Sequence, residues 1–258
     1  MQRQMSEEFS FDNIDNFRDF GSYHTTDGNI LKSGILYRSG DLDRASKEDL
    51  NKLKSLNIRT IIDLRTSKEI KKKPVTICSE KRIHIPLNIT ESTRHRLKPY
   101  MGKKNVDEQI LNAIDSVYRD MVGMLKPQIG EIFKNLLSKN EFPLLIHCHV
   151  GKDRTGFIIA IIQMALQVEK KSIIKDYLTT NHQLLPGTKR MLKKMRIATF
   201  GLIPTWNFEL ASMAQEKFIN TIINIIDQDY KGIKNYLAEC GISEQDLALI
   251  KQNIYVNS

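Results

Sequence analysis

Cys148 and Arg154 stand with five residues between them in the stretch LLIHCHVGKDRTGFIIA, residues 144–160. A loop curled around one anion would set the Cys148 sulfur beneath it and the Arg154 guanidinium beside it. The amides of His149, Val150, Gly151 and Lys152, with the positive end of a following helix, would supply the remaining oxygen contacts. A free cysteine ionises near pH 8.5, and a helix N-terminus with an adjacent arginine lowers that to roughly 3.5–7.5. A fall of about two or three units, each about 1.4 kcal/mol, leaves Cys148 mostly thiolate at neutral pH. The spacing describes a phosphate cradle with a nucleophile in its floor.

Other chemistries fit these residues less well. Gly151-Lys152 resembles the end of a nucleotide-binding P-loop, but that motif needs a glycine where Ile146 stands and Ser or Thr where Asp153 stands. His147, Cys148 and His149 are three residues of metal-ligating type, yet neighbours on an extended chain point to alternate sides and no second ligand cluster follows. No metal or cofactor is expected. An inert buried cysteine would give no reason for Arg154 to follow it.

The loop needs a strand before it and a helix after it, and the flanking apolar runs supply both. Upstream, Ile30 to Arg38 and Ile58 to Leu64 read as strands, the second β-branched and central, with Arg82 to Leu87 a further short one. Asp63 and Arg65 fall at a carboxyl end, where catalytic groups often gather. Ser46 opens a helix to Leu56, although Asp49 stands where a capping box takes Glu or Gln, and Asn57 is a left-handed stop. Ser67 to Lys73 is a short basic helix or turn. Asn88 to Asn105 is basic and lacks apolar periodicity, which predicts a mobile loop.

Val106, Ile110, Ile114, Val117, Met121 and Leu125 mark an amphipathic helix. Lys126-Pro127 ends or kinks it, and Ile129, Phe133, Leu136 and Leu137 continue on a second segment. Beyond Lys170 the pattern is helical: Ser172 to Asn181, Gly187 to Thr199, Phe208 to Asp229, Ile233 to Cys240 and Ser243 to Tyr255. Strand signals end at Cys148, so the class is α/β with a helical C-terminal half. No Pro/Gly/Ser-rich linker divides the chain, which predicts one domain over 1–258, with a helical extension from about residue 168 packed on the core.

The net charge of +9 is uneven, +12 over residues 1–204 and −3 over 205–258. A basic face beside an anion site favours phosphorylated substrates or an anionic membrane surface, and a solvated lysine-rich surface explains it equally well. Cys78, Cys148 and Cys240 form no CxxC pair, which points to a reduced compartment. The first residues lack an apolar leader and no run of 18 apolar residues occurs, so the chain as given reads as cytoplasmic; a processed, exported form is also compatible.

The run from His147-Cys148 to Arg154-Thr155-Gly156 resembles the HCx5R[ST]G signature of protein tyrosine and dual-specificity phosphatases. Its fuller form, CxxGKDRTG, is similar to that of the bacterial atypical tyrosine/lipid phosphatases. NFRDFG at 16–21, LYRSG at 36–40 and DLR at 63–65 are similar to that family's other motifs, in the expected order.

The resemblance implies a central, mostly parallel sheet flanked by helices and a two-step hydrolysis without metal. Cys148 would attack phosphorus, Arg154 and loop amides would hold the phosphoryl oxygens, and the Thr155 hydroxyl would hydrogen-bond the thiolate. The family's separate Trp-Pro-Asp loop is absent; Asp115 and Asp120 lie at its distance but fall on the amphipathic helix. In the resembling subfamily the general acid is the Asp before the loop Arg, here Asp153, with Asp63 assisting. Lys152 either adds charge at the rim, as in phosphoinositide phosphatases, or neutralises Asp153. Val150 replaces a small residue, which bears on pocket shape. The basic run Lys189, Arg190, Lys193, Lys194 and Arg196 is a membrane-facing surface, a lid or a solvated face. The implied substrate is a phosphotyrosine protein, with phosphoserine or phosphothreonine as a further target, or a phosphoinositide, not nucleic acid; a non-catalytic phosphate-binding module is the alternative of a different class.

Overall fold

In the computed structural model, which describes residues 10–73, 79–198, 200 and 205–256 apart from the side chains of Leu185 and Pro186, the strands form one sheet. They are β1 (Arg18–Asp19), β2 (Leu36–Ser39), β3 (Thr60–Asp63), β4 (Lys81–His84) and β5 (Leu144–His147), in the order β1-β2-β5-β3-β4. Only the β1–β2 pair is antiparallel. β2, β3 and β5 are buried along their whole length, as central parallel strands with both faces covered must be. On β5, Leu144 and Ile146 enter one core cluster and Leu145 a smaller one with Phe17, Tyr37 and Ile61, the period of two expected of a strand. The register places Ser39 and Asp63 level with His147. Three carboxyl ends therefore meet one residue before Cys148.

The helices are α1 (Lys47–Ser55), α2 (Ser67–Lys72), α3 (Thr90–Leu97), α4 (Asp107–Met124), α5 (Lys126–Leu136), α6 (Asp153–Ala165), α7 (Lys170–Ala198), α8 (Trp206–Ser212), α9 (Glu216–Gln228), α10 (Ile233–Glu239) and α11 (Glu244–Ile254). α6 carries FIIAII and is buried from Arg154 through Gln163. It forms the middle of the larger core, with the apolar faces of α4, α5 and α9 around it.

Several expectations from the sequence are corrected. β2 starts at Leu36 rather than Ile30, because Gly34 turns the chain at φ 76°; Ile30 and Leu31 instead form isolated bridges to His24 and Tyr255. Asp49 completes the capping box of α1 with Ser46. The supposed loop 88–105 contains α3, held by Arg96, which donates to Ser116 Oγ at 2.6 Å and pairs with Asp120. Polar anchoring leaves no apolar period to read. α7 is one helix, where two segments were expected, so the second of them lies within it up to Ala198; Thr199 lies outside the described residues. The single helix expected from Phe208 is two, α8 and α9. Asn181 holds the break between them, accepting from Ala214 N at 2.7 Å and donating to Ala214 O at 2.9 Å.

Candidate active site

Cys148 follows β5 directly and is 2% exposed. The chain then turns at Gly151, whose φ is 73°, a conformation that costs a side-chain-bearing residue energy. A Cβ there would stand 2.6 Å from Ser39 O. The turn aims the Gly151 N–H at Cys148 Sγ, 3.2 Å away. Among the described residues, the amides of His149, Val150, Lys152, Asp153, Arg154 and Thr155 find no backbone acceptor, whereas Gly156 N closes the first helical bond to Lys152 O at 2.8 Å. The loop thus gathers free amides at the positive end of α6.

Arg154 lies in the first turn of α6 and reaches back over the loop. Its Nη1 and Nη2 donate to the carboxylate of Glu69 on α2 at 2.7 and 2.9 Å, and Nη1 is 3.4 Å from Leu64 O. Burial would lower the Arg154 pKa, but the Cys148 charge and the Glu69 pair raise it. Burial would likewise raise Glu69, yet its hydrogen bond and charge pairing with Arg154 and the Thr66 backbone bring it down to about 2. Sequence reading missed Glu69. Its signal was Thr66-Ser67-Lys68-Glu69, a capping box that the structure confirms at α2.

Asp153 faces the cavity beside the loop. Its Oδ1 accepts from the Tyr118 hydroxyl at 2.7 Å, and the Tyr118 and Tyr177 hydroxyls are 2.8 Å apart. Tyr118 was also missed, although it sits on the α4 apolar stripe between Ile114 and Met121, and a buried phenol there needs a polar partner. Lys152 is no free cation at the rim. Its Nζ donates to Ala211 O at 2.8 Å and lies 3.4 Å from Asp153 Oδ1.

Asp63 does not join Asp153. Both its oxygens bind Arg65, with Nε–Oδ1 at 3.0 Å and Nη2–Oδ2 at 2.8 Å, and His147 Nε2 lies 3.6 Å away. Burial alone would raise the Asp63 pKa, but Arg65 and His147 hold it below the usual range. It is a fixed carboxylate with no proton to give at neutral pH. Arg65 continues to Asp41 Oδ1 at 2.8 Å, and Asp41 Oδ2 meets His149 Nδ1 at 3.2 Å. His149 therefore meets a carboxylate of the Arg65 network, whereas His147 Nε2, 3.6 Å from Asp63, is buried without a hydrogen-bond partner. The expected bond from Thr155 to sulfur is not formed: Thr155 Oγ1 is buried without a partner.

A cavity of about 590 Å³ opens above the loop. Val150, His149, Lys152 and Asp153 form its floor, and Leu184, Arg190, Met191 and Lys194 of α7 one wall. Of the basic run on α7, Arg190 and Lys194 face the cavity.

Residues 9–256 match the model of the tyrosine phosphatase family. The chain is 26% identical over 249 residues to a Cupriavidus necator protein assigned by inference as a tyrosine-protein phosphatase, covering 95% of this chain and 87% of that protein. It is 24% identical over 263 residues to the triple specificity protein phosphatase PtpB of Mycobacterium tuberculosis, covering 89% and 92%. The core catalytic domain of the PP-IP phosphatase SIW14 from S. cerevisiae, solved with citrate, aligns over 83% of this chain and 94% of that one at 16% identity, with a TM-score of 0.36. With its family model matched over nearly the whole length, the chain belongs to the tyrosine phosphatase family.

Proposed function

We propose that this phosphatase hydrolyses phosphotyrosine through a phosphocysteine formed on Cys148. The observation that carries the reading is the Gly151 N–H on Cys148 Sγ, at a helix N-terminus with Arg154 in the same turn. The amide donates to the sulfur there, and the flanking amides are free for phosphoryl oxygens. Sγ attacks phosphorus; the P–O bond to the leaving group breaks, and that oxygen takes the proton of Asp153. Water then attacks phosphorus, the P–S bond breaks, Asp153 accepts the proton of water and orthophosphate departs. Thr155, with its unpartnered hydroxyl, would meet the departing sulfur in the second step. Residues 168–258 belong to the same catalytic unit in this reading, because Ala211 O takes Lys152 and α7 walls the cavity.

Phosphoinositide is the second reading. It is favoured by Arg190 and Lys194, which line the cavity without a carboxylate partner among the described residues.

The test is acid-quenched trapping of radiolabelled phosphoenzyme, with Cys148→Ser as control. Label on wild type and none on the variant supports the mechanism, whereas full turnover by Cys148→Ser removes it. Parallel rates on phosphotyrosine peptides and phosphoinositide vesicles decide the substrate; turnover confined to the vesicles would replace the first reading by the second.

A further inference from the structure

Gly151 has a peptide on either side, and both are held from below. Asn16 Nδ2 donates to Gly151 O at 2.8 Å and lies 3.3 Å from Val150 O. Arg38 Nη2 donates to the same Gly151 O at 2.8 Å. Arg38 gives its Nη1 to Asp176 Oδ2 at 2.5 Å, and Asp176 Oδ1 accepts Arg18 Nε at 2.8 Å. Arg18 Nη1 then donates to Asn16 Oδ1 at 2.5 Å, which closes a ring of hydrogen bonds through four side chains and one carbonyl. The members come from the segment before β1, from β1, from β2 and from α7, so the ring exists only in the folded chain.

Asn16, Arg38 and Asp176 are each no more than 2% exposed. Gly156 makes room for the Tyr177 side chain, 3.0 Å from where a Cβ would stand, and Arg38 Nη2 would be in ordinary contact with that Cβ at 3.5 Å. Two guanidinium groups face one carboxylate, leaving one positive charge sealed under the loop. Burial with Arg18 alongside lowers the Arg38 pKa to about 10, still well above neutrality. An uncompensated buried charge is costly, and the anionic partner available to this one is a thiolate or phosphoryl group on the other side of Gly151.

We propose that Asn16, Arg18, Arg38 and Asp176 are positioning residues for the phosphatase reaction, which turn the Gly151 N–H onto Cys148 and hold a net positive charge beneath the sulfur. The inference rests on the reading of Cys148 as the nucleophile. Arg38 supplies both effects, whereas neutral Asn16 supplies only position.

The test follows Cys148 alkylation by iodoacetamide against pH, read by mass spectrometry, with kcat and KM on p-nitrophenyl phosphate. Arg38→Met is expected to raise the alkylation midpoint by about one pH unit, a tenfold loss of thiolate below the midpoint, and to cut kcat about 100-fold, the scale of a 1 Å misplacement. Arg38→Lys keeps the charge without the fork, so it restores the midpoint but not kcat. Asn16→Ala lowers kcat about tenfold with the midpoint kept, on the same displacement scale. A folded Arg38→Met with the wild-type midpoint and kcat overturns the proposal. Should Arg38→Met fail to fold, Asn16→Ala with undiminished kcat overturns it. A wild-type protein that alkylates at low pH but hydrolyses no phosphomonoester would remove the proposed hydrolysis and leave the ring's effect on the thiol standing.

Discussion

Arg154 and Glu69 meet edge to edge, Nη1 on Oε2 at 2.7 Å and Nη2 on Oε1 at 2.9 Å, across 84 intervening residues. A guanidinium has five donors in one plane, so two parallel bonds fix both its position and its tilt. Glu69 is fixed in turn, because Oε2 also accepts from Thr66 N at 2.7 Å. Glu69→Gln keeps the shape but replaces one acceptor by an amide NH2 donor and removes the charge. Steady-state kinetics should show kcat/KM reduced about 10- to 100-fold, as expected for a misplaced clamp. Wild-type kinetics in this variant would mean that Arg154 is placed by other contacts.

Asp153, which lines the cavity, offers Oδ1 to Tyr118, which leaves Oδ2 without that bond and able to exchange a proton. A general acid matters most when the leaving oxygen is basic. Asp153→Asn should cost about 100-fold or more on phenyl phosphate and much less on p-nitrophenyl phosphate, whose leaving group departs without a proton. Tyr118→Phe removes the orienting bond, with the hydroxyl contact to Tyr177, and should show a weaker form of the same pattern. Equal losses on both substrates would place the acid elsewhere.

The sequence displays the parts of this site that are contiguous and hides those that face it from afar. Cys148, Arg154 and Gly151 declare themselves by type and spacing within one loop, and the apolar runs on either side identify β5 and α6. Glu69, Tyr118 and Asp41 reach the loop from other elements; the capping box marks Glu69 as a helix start and the apolar stripe marks Tyr118 as buried, but neither signal says that the residue meets the loop. Asp63 illustrates the converse, since the resemblance implied that it assists proton transfer while its partner two residues on, Arg65, occupies both oxygens. α3 escaped notice because ionic contacts to α4, rather than an apolar stripe, hold it.

Two steps are expected in the acid dependence of stability. Burial lowers the pKa of His147 from 6.5, with Asp63 opposing, so the folded state resists a proton that the unfolded chain takes up. Its contribution is complete above about pH 6.5 and declines as pH falls. Glu69 is held at about 2 against 4.5, and Asp41, despite burial, is brought to about 2 against 3.8 by His149 and Arg65. Their contribution is present above those ordinary values and is lost as pH falls toward 2. Melting temperature against pH should therefore decline gently below 6.5 and steeply below 4.5. Glu69→Gln should flatten the lower limb alone; an unchanged lower limb would show that the pair adds nothing to stability.

Gly151 and Gly130 separate catalysis from packing. At Gly151 a methyl group would meet Ser39 O at 2.6 Å in a backbone with φ of 73°; at Gly130 on α5 it would meet Cys240 O at 2.2 Å. Both clashes are with backbone, so both substitutions should lower the melting temperature, by roughly 4–8 °C for each ~2 kcal/mol in a chain of this size. Only Gly151→Ala disturbs the amide aimed at Cys148 Sγ, so only it should also raise the alkylation midpoint of the thiol and reduce kcat about 100-fold. Gly130→Ala should keep both at wild-type values below its melting transition, because α5 packs away from the loop. A Gly151→Ala protein with normal kcat would show that the amide direction at the sulfur is not what activates Cys148.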